Sequence, residues 1–179
     1  MQFDIQDWVL SNPELVLIVT VLVLLVYQWQ KGLSYHKYRY VHSFRVLLFR
    51  ALDPMARQYG RPLVYEKATE GPEFVIGLSD SPKTVFHQLN SKEFSPHLIA
   101  TVKSRVVNGQ EQYCHSQLVY THSDGRQTEA VLFVYNGRCD VYSHVETSVT
   151  DPEGHLTDPQ EAGDARDTIA DALETDVPR

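Results

Sequence analysis

Glu129 and His144 have the residue types and the spacing for proton transfer. Each stands seven positions from the dipeptide Asn136-Gly137, one before it and one after. Asn-Gly between alternating β-rich runs signals a two-residue type I′ hairpin, which pairs equidistant residues across its strands. A carboxylate facing an imidazole can act as acid and base, and Glu146 and His122 would lie nearby. No nucleophile or metal motif accompanies the pair: CxxC and HExxH are absent, and the eight histidines are scattered. The sequence therefore assigns no catalytic residue, no metal ligand and no cofactor.

These residues need a sheet to hold them. Three turn dipeptides, Asn108-Gly109, Asp124-Gly125 and Asn136-Gly137, divide the chain into β-rich runs over 98–107, 110–123, 126–135 and 138–149. The pattern predicts a four-stranded antiparallel meander. Two-residue turns fix the register, and register fixes the faces. One face is apolar, with Ala130, Leu132 and Val141 beside Gln117, Val119 and His115. A helix capped by Asp80 or Ser81 and starting at Pro82 carries Val85, Phe86 and Leu89 to cover it. The opposite face gathers Lys103, Arg105, Leu118 and Glu146 with Tyr120, Glu129, Phe133, Tyr135, Tyr142 and His144, and Tyr120 is expected opposite Glu129. A solvated antiparallel face carries fewer aromatics, so those last six form the candidate binding surface. Cys114 and Cys139 fall on opposite faces and should remain thiols.

Upstream, strands are expected over Pro62–Lys67 and Glu73–Leu78, around a turn at Glu70-Gly71-Pro72. Farther upstream, Leu15–Tyr27 is apolar, preceded only by acidic charges and followed by seven basic residues against Asp53 alone. By the positive-inside pattern this predicts a single membrane span with its N-terminus outside and the domain in the cytoplasm. Trp8, Tyr27, Trp29, Lys31, Lys37 and Arg39 would mark the bilayer interfaces. Gly32–Leu52 reads as a helix along or through the headgroups, and Asp53-Pro54 as the start of a second, short helix ending near Gly60.

Charge is uneven. The whole chain carries −7, and residues 151–179, with nine acidic and two basic side chains, account for all of it. That stretch has few large apolar groups and reads as a solvated, disordered tail. Basic residues cluster only beside the apolar run, which argues against a nucleic-acid interface. The organisation read from sequence is an anchor over 1–31, a basic and aromatic helical segment over 32–61, an α+β domain over 62–150 and an acidic tail over 151–179.

The order strand, helix and meander over 73–149 resembles the cystatin-like α+β arrangement, a scaffold that by itself transfers no activity. The run from Gln127 to Phe133 followed by Asp140 to Glu146 is similar to a pattern in uncharacterised haloarchaeal proteins. Six lysines against ten arginines, with an Asp-rich tail, are in keeping with a halophile. The reading that absorbs most of these features is a membrane-tethered, non-enzymatic interaction module, binding a protein partner or a second copy through its aromatic face. A small-ligand-binding or sensory domain is the alternative, and a hydrolase using Glu129 and His144 comes third.

Overall fold

The computed structural model describes residues 29–60, 62–67, 73–147 and 163–174, together with Val21, Leu25 and Val26. Within these, helix α1 (Tyr35–Gln58) leads to β1 (Val64–Lys67) and β2 (Phe74–Leu78), then α2 (Pro82–Ser91) and β3 (Ser95–Pro96). Five further strands follow: β4 (Val102–Val107), β5 (Gln110–Tyr113), β6 (Ser116–Thr121), β7 (Arg126–Tyr135) and β8 (Arg138–Thr147). Helix α3 (Gly163–Leu173) comes last.

The β4–β8 region is not one meander but two sheets. A three-stranded sheet has the order β1-β4-β5, and a five-stranded antiparallel sheet the order β2-β8-β7-β6-β3. The run expected as one strand over 110–123 breaks at Cys114 and His115. The Cys114 amide still donates to Lys103 of β4 (2.9 Å), while the next amide, His115, donates to Leu132 of β7 (2.7 Å). The chain thus changes sheets within one residue. The expected α+β class stands as α+β, but with two sheets in place of the single meander.

Register is corrected as well. Asn108-Gly109 and Asn136-Gly137 have positive φ at both positions, 51° and 75° in the first and 50° and 75° in the second, as type I′ requires. Around Asp124-Gly125 only Gly125 is left-handed (φ 87°). Gly125 donates to His122 O, and His122 donates to Arg126 O, so three residues make the connection. That extra residue slides β6 by one, and Tyr120 faces Thr128 while Val119 faces Glu129. A one-residue slip exchanges the faces of a strand. Leu118 and Tyr120 therefore join the helix-covered side, and Gln117 and Val119 the polar one.

The molecule is layered: helices, five-stranded sheet, three-stranded sheet. Val85, Phe86 and Leu89 of α2 pack with Ile169, Ala172 and Leu173 of α3 against Leu118, Ala130, Leu132 and Val141. On the other side, Val64, Val102 and Cys114 pack against Val131, Phe133 and Tyr142. Both cysteines are buried thiols. Ser81 caps α2 by accepting from the Thr84 amide.

Helix α1 runs through Pro54 without stopping. Asp53, expected as the cap of a new helix, instead accepts from the Leu63 and Val64 amides (2.7 and 2.9 Å) and from Arg57, tying the helix end to β1. The acidic segment expected to be a solvated tail contains α3, whose Ala165 and Ile169 are fully buried.

The single-pass anchor and the membrane location drawn from it are also corrected. Among the described residues no helix is long and apolar enough to cross a membrane. The segment expected along the headgroups is α1, which buries Tyr38, His42 and Arg45 against the domain. Trp8, Tyr27, most of the apolar run and the Glu70-Gly71-Pro72 turn lie outside the described residues. Of the other expected interface residues, Trp29, Lys31 and Lys37 are exposed, while Arg39 donates to His115 O on the domain itself.

Candidate functional site

The Asn136-Gly137 hairpin brings Glu129 and His144 together as its geometry requires, directly opposite on β7 and β8. Their neighbourhood is interior, because the three-stranded sheet closes over it. Glu129 is 0% exposed and His144 1%, so proton exchange with a substrate would require the sheets to part. His144 Nε2 lies 3.6 Å from Glu129 Oε2 and 3.2 Å from Glu146 Oε2.

Other elements supply the countercharges. Lys67 on β1 reaches Glu73 (2.6 Å) and His144 Nδ1 (3.2 Å). Lys103 on β4 lies 3.6 Å from Glu129 Oε2. The second Glu129 oxygen accepts from Gln117 Nε2 (3.0 Å) and faces His97 Nδ1 at 3.5 Å. The Gln127 amide donates to Glu146 Oε1 (2.8 Å). Burial by itself would raise the Glu129 pKa. Lys103, with His97 and His144, outweighs it and holds the carboxyl well below the ordinary range. Burial likewise opposes the Lys103 charge, but Glu129, Glu146 and Glu73 prevail and raise its pKa. For Lys67, burial prevails and the pKa falls.

Helix α1 holds this interior shut along one edge. The Tyr38 hydroxyl accepts from the Gln117 amide (2.7 Å) and donates to its carbonyl (3.1 Å). Arg45 donates to His97 O (2.7 Å) and to the Gln117 side chain.

A second polar feature opens at the far end of the sandwich, between the tips of the β4–β5 and β7–β8 hairpins. A cavity of about 500 Å³ there is lined by Phe74, Arg105, Tyr135, Asn136, Arg138, Asp140 and Tyr142. Arg105 is 1% exposed. Its Nε donates to Gln112 (2.7 Å) and its Nη1 to Asp140 (2.8 Å) and the Tyr142 hydroxyl (3.1 Å), while Nη2 has no hydrogen-bond partner. The guanidinium lies over the rings of Phe133 and Tyr142, 4.6 and 5.6 Å from their centroids. Arg138 completes the charge, its Nε 3.0 Å from the other Asp140 oxygen. Gly77 on β2 gives it room: a Cβ there would fall 1.9 Å from Arg138 Nε. Across the mouth, Asn108 donates to the Tyr135 hydroxyl (2.7 Å), joining the two hairpin tips.

The six candidate binding residues therefore disperse. Glu129, Phe133 and His144 are sealed between sheets, and Tyr135 and Tyr142 line the hairpin-end cavity. Tyr120 sits on the helix side against Phe94, with ring centroids 5.4 Å apart. Sequence reasoning placed Lys103 and Arg105 on the right face but gave them no role. Two cations alternating along an otherwise apolar strand were the signal. Lys67, Glu73 and His97 carried none, since their neighbours arrive from distant segments.

No protein-family model, no curated protein and no solved structure matches this chain.

Proposed function

We propose that this protein is a small-ligand-binding module that takes an organic monoanion in the cavity beside Arg105. The observation that carries the reading is a fully buried guanidinium at the cavity wall with one donor nitrogen unmet. Buried polar groups are nearly all hydrogen-bonded, and exceptions call for an explanation. Nη2 is itself buried, so an acceptor reaches it when the cavity wall yields, and a charge-assisted hydrogen bond from guanidinium to carboxylate is then gained. The size fits: small-molecule sites run from about 300 to 1,000 Å³ and are mostly apolar, with a few convergent polar groups. Phe74, Tyr135 and Tyr142 offer that apolar wall. Two arginines against Asp140 leave one net positive charge, which favours a monoanion over a dianion.

Benzoate is a suitable probe, with inorganic phosphate and benzamide as controls for charge and for the carboxylate. Benzoate at ten times its dissociation constant should stabilise the full-length chain by about 1.4 kcal/mol, a shift of several degrees in Tm. Arg138→Gln removes a half-exposed cation without opening the core, and should weaken benzoate binding several-fold. Benzoate giving no more shift than benzamide would sink the proposal.

Self-association is a second reading, supported by one observation. Tyr40, Phe44, Leu47, Leu48 and Met55 make an exposed apolar stripe on α1, and such stripes usually meet something. Here the second copy would dock on the helix rather than on the sheet face. Sedimentation of the full-length chain beside Phe44→Glu tests it, and identical monomeric behaviour of both would exclude it.

A further inference from the structure

We propose that Glu129, His144 and Glu146 form a binding site for one divalent first-row transition ion, held between the two sheets. The inference is independent of the anion cavity.

Three side chains converge on one point. Glu129 Oε2, His144 Nε2 and Glu146 Oε2 face one another, and a ligand atom from each lies within 4.8 Å of the others. The two separations from His144 Nε2, 3.2 and 3.6 Å, bracket the spacing around a tetrahedral ion. Ligands about 2.1 Å from such an ion stand roughly 3.4 Å apart. One imidazole and two carboxylates suit Zn²⁺, Mn²⁺ or Fe²⁺ better than Mg²⁺, which prefers oxygen and keeps its waters.

The outward atoms of the same residues make a second, independent observation. Glu129 Oε1 accepts from Gln117 and Glu146 Oε1 accepts from Gln127, while His144 Nδ1 has Lys67 Nζ at 3.2 Å and the Glu73 carboxylate at 3.5 Å. Carboxylates that bind a metal are commonly hydrogen-bonded through their other oxygen. Both carboxylates are thus oriented from behind, each with its second oxygen turned toward His144 Nε2. Glu129 Oε2 is the most telling of these atoms, being completely buried and without any hydrogen-bond donor.

Charge points the same way. Glu73, Glu129 and Glu146 face Lys67 and Lys103, three carboxylates against two ammonium groups. Lys103, 3.6 Å from Glu129 Oε2, partly offsets that excess, but at a distance too long for a hydrogen bond. The competing account is a purely structural ion-pair network joining the sheets, and it makes the opposite forecast for metal.

The site is sealed, so an ion must enter as the chain folds. The experiment is refolding of the full-length chain with excess Zn²⁺, and separately with Co²⁺ or with EDTA, followed by gel filtration and metal analysis. About one zinc per chain should be retained, the EDTA sample should melt lower, and the Co²⁺ sample should show visible d–d absorption. Glu146→Gln keeps the acceptor for Gln127 and should reduce retention to under about a tenth. Gln127→Leu leaves all three ligands in place and should weaken retention about ten- to a hundred-fold. A wild-type chain that refolds metal-free overturns the proposal. So does zinc retained equally by Glu146→Gln, since the ion would then be bound elsewhere.

Discussion

Arg105 and Glu129 are both charges buried between the sheets, and each leaves one polar atom without a hydrogen-bond partner. Opposite signs send them to different chemistry, an anion for one and a cation for the other. The Glu129–His144 pair was legible in the sequence because a two-residue turn counts residues for the reader. Arg105 was not, since its partners Gln112, Asp140 and Tyr142 become neighbours only when two hairpins stack. Two histidines on this scale give a pH dependence. Burial first, then Arg45 beside one and Arg39 beside the other, lowers the pKa of His42 and of His115, the latter to about 4. An unfolded histidine takes its proton near 6.5, so the unfolded chain binds more protons than the folded one in the window from about 6.5 down toward 4. Stability is therefore complete above that window and falls as pH drops through it, by at most about 1.4 kcal/mol per pH unit for each site. His42→Gln retains a donor for Cys114 O, which His42 Nε2 meets at 3.0 Å. Urea unfolding at pH 7 and pH 5 should show a smaller loss for this variant than for wild type, and equal losses would refute the assignment.

At the scale of elements, the turns decided what the sequence could reveal. Both Asn-Gly hairpins form in the expected register, because each dipeptide admits only one economical backbone path. Asp124-Gly125 admits two, a two-residue and a three-residue loop, and the longer one flips β6. The break at Cys114 was illegible for another reason. A strand that changes partners needs no turn residue, only a second sheet edge to receive it. Helix α3 was legible only as one or two helical turns around Ile169 and Leu173, ranked below a solvated tail, because a short helix of small and acidic residues gains its stability from docking rather than from propensity. Its Ile169 finds the α2 side of the sheet. The left-handed glycines give the test here. Gly137→Val and Gly125→Val should each lose on the order of 1–2 kcal/mol, since a β-branched residue is strained at positive φ. Nothing lies within 4 Å of a Cβ built at either, so the effect is conformational rather than steric. Gly→Ala at the same positions should then recover only part of the loss in thermal unfolding. Unchanged melting temperatures would mean that neither turn has the φ described.

On the scale of the whole molecule, everything rests on the three-stranded sheet closing over the polar and aromatic face. That closure turns a surface that reads from sequence as an interface into an interior. It also builds the anion cavity at one end and encloses the carboxylate–imidazole cluster in the middle. The sequence could not show it, because β1 reaches β4 by parallel pairing, which no hairpin signal announces. Phe133 reports on the closure most directly: it is 0% exposed between Tyr142 and the Arg105 guanidinium, and exposed without the sheet. The decisive measurement is urea unfolding of the full-length chain beside Phe133→Ala. A buried phenylalanine truncated to alanine costs about 3–5 kcal/mol, and a loss of that size is expected. A surface position changes stability by no more than about 0.5 kcal/mol, and a change that small would contradict the layered architecture and both sites built on it.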